Sequence, residues 1–256
     1  MMAPWLDQVA WQRSLVLDDR SFRWGRIDTD FVAQWSNLVI VRTSASGHVK
    51  IVVPHADAPP QLVEKTLRGE MAAFARSLAG GLSLHASAVA LCGRALLLTG
   101  ASAAGKSTMA SILCESFRAE LLADDVAGLA ARASSVFVEP SELSVWLEDS
   151  YGTKSPLRRR AAKKAAELVA LVALRFDESA NRPELVRVRG AGTIGCVLDG
   201  VLRFDLSPEL RGREFNMLLD LVTTVPMWQL VRARTAPREQ VAELLASLVQ
   251  PSTGHR

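Results

Sequence analysis

Within GASAAGKST, Gly100, Gly105, Lys106 and Ser107 match the pattern GxxxxGK[ST] in full. The match lies between an apolar run, RALLLT, and a helix-like run, MASILCESF. Strand, loop and helix in that order are the setting in which this pattern binds phosphate. Glycines let backbone N–H groups turn inward around an anion. The helix that follows adds a favourable field at its N-terminus. A lysine there opposes that field unless an anion is present, so Lys106 is expected to reach the β- and γ-phosphates of a nucleotide. The Ser107 hydroxyl is the expected Mg²⁺ ligand. Ala101, Ser102, Ala103 and Ala104 supply the loop backbone. Thr108 either joins the nucleotide contacts or only satisfies the first helical turn.

Asp124 and Asp125 follow the short apolar run LLA. An acid ending a strand beside a phosphate loop commonly holds Mg²⁺ or its water. Adjacent residues of a strand point to opposite faces unless the strand has ended, so the two acids are expected to have different tasks. One takes the proton of an incoming hydroxyl. The other, read here as Asp125, touches metal or caps the next turn. His85, in LSLHASAV, is the one of four histidines flanked by apolar residues. It is either a satisfied core histidine or the partner that orients a carboxylate and adjusts its pKa.

The elements that must position these groups follow from apolar spacing. Residues 1–80 read as a small α+β segment. LVLDD, SFRWGRI, NLVIVRT and HVKIVV are expected strands, and QLVEKTLRGEMAAFARSLA has helical spacing at Leu62, Leu67, Met71, Phe74 and Leu78. The early tryptophans, Trp5, Trp11, Trp24 and Trp35, suit core filling. Residues 81–256 read as the catalytic domain. LSLHASAVAL and RALLLTG are apolar enough for strands covered on both faces. AELLADDVAGLAA predicts a strand ending at the acids, and VFVEP and LSVWLED two more. The spacing then predicts a helix from about Pro156 through SPLRRRAAKKAAELVAL, since proline suits a first turn. VALRFD and ELVRVR are expected strands, and APREQVAELLASLVQ a C-terminal helix starting near Pro237.

The bulk numbers exclude several classes. The chain has 256 residues, 49% hydrophobic and 22% charged, with a formal net charge of +3. That is globular composition. The modest positive balance suits an anionic ligand and argues only weakly for nucleic acid. Cys92, Cys114 and Cys196 have no metal-ligand or disulfide spacing and read as small buried hydrophobes. The segment MMAPWLDQVAWQR lacks the unbroken apolar run of a signal peptide, and no stretch approaches about 18 uncharged apolar residues. The expectation is a cytoplasmic protein with no membrane partner.

LHASAVALCGRALLLTGASAAGKSTMASIL, followed by LLADDV, resembles the catalytic core of the bacterial HPr kinase/phosphorylase family. It is more similar still to HPr-kinase-related kinases of ribosomally made, lasso-type precursor peptides. The resemblance covers roughly residues 81–130. It implies an α/β fold, an HPr kinase C-terminal-like sheet core related to phosphoenolpyruvate carboxykinase. It also implies ATP and Mg²⁺ as cofactors, with Gly100, Gly105, Lys106 and Ser107 at the nucleotide. By the same resemblance Asp124 is the general base on a serine hydroxyl, His85 works with it, and Asp125 lies in the same site. Ala103 stands where HPr kinases usually carry a third glycine, and Thr108 where they carry a glutamate. RVRGAGTIG only echoes the glycine-rich stretch that serves HPr binding and phosphorolysis, so the resemblance favours the peptide-kinase branch. The family is oligomeric, which leaves a homo-oligomer open.

TKSPLRRRAAKK, spanning Lys154 to Lys164, contains six cations and no acid. It reads either as a solvated helix face or as a basic lid or peptide groove near the phosphates. Two other functions stay open on the sequence: a kinase of another protein or small molecule, and a non-catalytic nucleotide-dependent partner protein.

Overall fold

The computed structural model describes residues 4–17, 20–141, 144–148, 154–204 and 207–249. The chain divides into two compact units. One comprises Met1–Gly81 with Arg203–Glu214, the other Leu82–Leu202 with Phe215–Arg256.

The first unit is built on an antiparallel meander of β1 (Ala10–Leu17), β2 (Arg20–Ile27), β3 (Asp30–Trp35), β4 (Val39–Thr43) and β5 (Val49–Pro54), paired in chain order. Strand β3 was not foreseen, because DFVAQW is short and starts on an acid. Sheet pairing on both sides recruits it. Helices α1 (Pro60–Thr66) and α2 (Ala72–Leu78) are joined by a π-helical turn, Leu67–Met71, so the expected helix is one run with a bulge. Phe22 packs against Trp35, Phe74 and Phe204 at ring-centroid distances of 5.5, 5.7 and 5.2 Å. Trp24 is also buried, and its indole N–H donates to the Phe204 carbonyl at 3.1 Å. An aromatic core of this kind buries large apolar area, and of its two indoles Trp24 finds a partner while the buried Trp35 N–H has none among the described residues.

The second unit is a nine-stranded mixed sheet with helices on both faces. Its early strands are β6 (Leu82–Leu84), β7 (Ser87–Leu91) and β8 (Arg94–Thr99), and helix α3 (Lys106–Ser116) follows. Then come β9 (Glu120–Ala123), β10 (Ala127–Arg132), β11 (Ser135–Glu139), a small separate hairpin of β12 (Ser144–Glu148) and β13 (Lys154–Arg158), and the long β14 (Ala166–Phe176). Then follow β15 (Glu184–Val188), α4 (Gly192–Leu198), α5 (Pro208–Thr224, of which the part from Phe215 belongs to this unit), β16 (Met227–Arg232) and α6 (Arg238–Ser247). Along β8, alternate residues serve alternate faces. Leu96 and Leu98 pack with Met109, Leu113, Val241 and Leu245 of α3 and α6. Leu97 packs on the other face with Leu218 and Leu221 of α5. A strand buried on both faces reads as an unbroken apolar run, and RALLLT does.

The helix expected from Pro156 is absent. Pro156 lies in β13, and Ala166–Phe176 is a strand. The stretch has helix-forming alanines, but β14 pairs in parallel with β8 on one side and with β16 on the other. That two-sided burial of Leu168, Leu171 and Val172 outweighs local preference. Proline is tolerated because β13 belongs to a two-stranded ribbon with open edges. Cys92 is a second correction. It is exposed, not buried, because Cys92 and Gly93 form the tight turn between β7 and β8 with φ of 52° and 76°. Two positive φ angles suit the right-handed twist of a two-residue hairpin.

Candidate active site

The glycine–lysine loop joins β8 to α3. Gly100 has φ 136°, and a Cβ there would stand 2.8 Å from the Leu174 carbonyl oxygen. Gly105 has φ 93° and caps α3 with no side-chain hydrogen bond. Both positions need glycine, and the first amides of α3 are left for another acceptor. Ala103 adopts φ 59°, a left-handed conformation that alanine disfavours. Ala101, Ser102 and Ala103 are exposed, Ala104 is buried, and Ser107 and Thr108 are half-buried. Lys106 is only 7% exposed. Its Nζ donates to the carbonyls of Gly100 and Ala101 at 2.9 and 3.1 Å, which holds the ammonium inside the loop.

Strand β9 ends at Ala123, so both acids lie past it. Asp124 is fully buried. The Ser87 hydroxyl donates to its Oδ1 at 2.6 Å and the Trp146 backbone N–H to its Oδ2 at 2.8 Å. The Ser107 hydroxyl lies near the same carboxyl and favours its ionised form. Burial pushes the Asp124 pKa above the usual carboxylate range, and the neighbouring Asp125 adds to the rise. The two hydrogen bonds and the Ser107 hydroxyl pull the other way. Among the described residues no cation contributes to this balance. Asp125 is half-buried with φ 67°, a left-handed turn that aspartate tolerates better than most residues.

His85 lies at a bend that splits the expected strand into β6 and β7. Its own N–H donates to the Gly200 carbonyl at 2.6 Å, and the next N–H, of Ala86, donates to the Asp125 carbonyl at 3.2 Å. Backbone pairing therefore brings His85 to the turn that carries the acids. The loop, both acids and His85 come together.

The basic run begins on β13, where Pro156 stands opposite Trp146, the residue whose N–H reaches Asp124. Arg159 donates to the Ser111 hydroxyl at 2.8 Å and pairs with Glu115 at 3.2 Å, both on α3. Arg160 pairs with Glu120 at 2.8 Å, and Lys163 and Lys164 are exposed. The Lys154 side chain, Tyr151 and Gly152 lie outside the described residues.

Three groups at the site escaped sequence reasoning. Ser87 is one; a hydroxyl two residues after His85 in an apolar strand was the available signal. The Trp146 amide carries no signal, because a backbone donor has no residue identity. Arg232 is the third, a buried cation 128 residues from the Ala104 carbonyl that it touches.

No family model and no curated protein matches the chain. Among solved structures the chain is similar to that of the Hpr(Ser) kinase/phosphatase from Coxiella burnetii. The match covers 65% of this chain and 87% of that one, at 11% identity and a TM-score of 0.40. No helix among the described residues is long and apolar enough to cross a membrane.

Proposed function

We propose that the chain is an ATP- and Mg²⁺-dependent kinase that phosphorylates a serine hydroxyl of a peptide, by resemblance a ribosomally made precursor of the lasso type. The observation that carries this reading is Asp124: a buried carboxyl beside the serine of a GxxxxGKS loop, whose partners among the described residues are all uncharged donors. A buried carboxylate in that state is costly until a cation arrives. One hydroxyl and one or two carboxylates, completed by phosphates, form the donor set that Mg²⁺ favours. The residues present therefore fit the metal.

The geometry supports dividing the two acids in the opposite sense to the sequence reading. Asp124 is enclosed and lies near Ser107, which suits the metal side. Asp125 is half-buried beside the His85 bend, which suits taking the proton of an acceptor hydroxyl. Mg²⁺, when bound, neutralises phosphate charge. Lys106 and the uncapped amides of α3 add positive potential at the loop. His85 then holds or shields the base.

The test is mass spectrometry of a candidate precursor peptide incubated with the protein, ATP and Mg²⁺. A gain of one phosphoryl group on serine, lost in K106A, D124N and D125N, is the expected result. Nucleotide binding or hydrolysis without peptide phosphorylation would instead point to another acceptor or to a nucleotide-dependent partner protein. Pre-steady-state binding separates the acids: D124N loses the Mg²⁺ requirement of nucleotide binding, whereas D125N retains it and loses transfer.

A further inference from the structure

Strands β8, β14 and β16 are neighbours and parallel, with Thr99 opposite Ala173 and Phe176 opposite Arg232. Their C-terminal ends therefore open along one edge of the sheet. The loop leaves β8 there. Strand β9 reaches the same edge on the other side, two places from β8, and ends at the paired acids. So the loop is flanked by Asp124 and Asp125 on one side and by the ends of β14 and β16 on the other.

The second flank is cationic. Arg232 is only 5% exposed, and its Nη2 donates to the Ala104 carbonyl at 3.3 Å. The same nitrogen would be 2.8 Å from a Cβ at Gly105. Among the described residues no carboxylate pairs with it, and the charges that act on it are those of Arg238 and Arg234. Burial and these like charges push its pKa down. A buried cation without a counter-ion is costly and is stabilised by an incoming anion. The Phe176 ring lies beside it, with the guanidinium carbons of Arg232 and Arg234 at 4.5 and 4.1 Å from the ring centroid. Arg234 also meets Glu178 at 3.5 Å, but both side chains are mostly exposed, so that pair is weak.

The geometry points to this flank as the nucleoside end of the nucleotide site: Arg232 binds the phosphate nearest the ribose, and Phe176 with Arg234 forms the platform on which the base stacks. The inference rests on the kinase reading and adds a direction to it. Two carboxylates repel phosphate unless a metal lies between, so the metal-bearing terminal phosphates face Asp124 and Asp125. The remaining phosphate then falls toward Arg232. Planar guanidinium and aromatic groups stack on a base without reading its edges.

The experiment compares Mg·ATP with Mg·tripolyphosphate, which has the phosphates but no nucleoside, as calorimetric ligands of the full chain. F176A and R234A are expected to weaken ATP binding about tenfold and to leave tripolyphosphate binding within about twofold. R232Q is expected to weaken both ligands, with partial recovery in R232K. Equal losses for both ligands in F176A and R234A, or no loss for ATP, would overturn the platform. Unchanged binding of both ligands in R232Q would overturn the phosphate contact. The exposed Arg234 keeps the test decisive where a buried Arg232 variant fails to fold. Binding of ATP that is lost in K106A but indifferent to Phe176 and Arg234 leaves the kinase reading standing and removes this inference. Absence of binding of either ligand by the unaltered protein removes both.

Discussion

Among the described residues, each unit of the molecule buries one aspartate almost completely, and the two are treated in opposite ways. Asp30, 3% exposed, accepts from Lys50 at 2.6 Å and from Arg42 at 2.7 Å. These partners hold its pKa below the usual carboxylate value in spite of burial. Asp124, 0% exposed, has only uncharged donors and an acid beside it, and its pKa is raised. The first carboxylate is complete: it ties β3 to β4 and β5. The second is satisfied in hydrogen bonds and unsatisfied in charge. A buried charge with its counter-ions supplied by the chain serves the fold, whereas one without them is a candidate functional group.

Exchanging each acid for its amide should break the comparison most sharply. D124N is expected to reduce phosphoryl transfer by roughly a hundredfold or more, on the scale of losing a charge-stabilising group at a reacting centre. In metal-free buffer the same variant should melt at or above the temperature of the unaltered protein. The amide removes a buried charge, its oxygen still accepts from the Trp146 N–H, and the hydroxyls of Ser87 and Ser107 can reverse to accept from its nitrogen. A clear drop in the metal-free melting temperature would end the idea that Asp124 is kept for chemistry at a cost in stability.

D30N should do the reverse. It leaves Lys50 and Arg42 facing a neutral group, and a loss of roughly 1–3 kcal/mol is expected in denaturant unfolding. Phosphoryl transfer by the molecules that remain folded should be unaffected.

The pH dependences carry opposite signs. Asp30 has a folded pKa below its unfolded value, so its contribution is present above the ordinary carboxylate range. It is lost as pH falls through the lowered value. Asp124 has a folded pKa above its unfolded value. Its contribution is present below the ordinary range and fades as pH rises through the raised value. Melting curves between acid and neutral pH, in chelator, should show D30N with a flatter acid limb and D124N with less loss of stability on the rising side. Identical profiles for the two variants would refute the contrast.

The smallest effect concerns Ala103. Its left-handed φ costs about 1 kcal/mol or more relative to an unstrained residue. A103G relieves this but adds chain entropy to the unfolded state. A net gain of at most about 1 kcal/mol is expected in metal-free unfolding. A loss would mean that the alanine methyl makes contacts worth more than the strain.

The legible parts of the chain were those where pattern and burial coincide. RALLLT, GASAAGKST and the α3 sequence follow one another as strand, loop and helix, because an unbroken apolar run, two glycines and helix formers each allow little else. APREQVAELLASLVQ likewise starts its helix just after Pro237. AAELVALVALRF was less legible. Its alanines and leucines suit either element, and only the presence of β8 and β16 on its two edges makes it a strand. The split at His85 was hidden for a similar reason, since the bend depends on hydrogen bonds to Gly200 and Asp125.

What the residue order alone determined is local: a glycine-bearing loop between a strand and a helix, a lysine at the start of that helix, and two acids at the end of a short strand. These follow from glycine's freedom, helix polarity and strand periodicity, which act within a few residues. Tertiary structure decided which groups share a volume. It enclosed Asp124 among Ser87, Ser107 and the Trp146 amide with no cation among its described partners, and gave Asp30 two. It also put Arg232 beneath the Ala104 carbonyl. Burial and charge pairing depend on distances in space between residues far apart in the chain, and no local pattern encodes them.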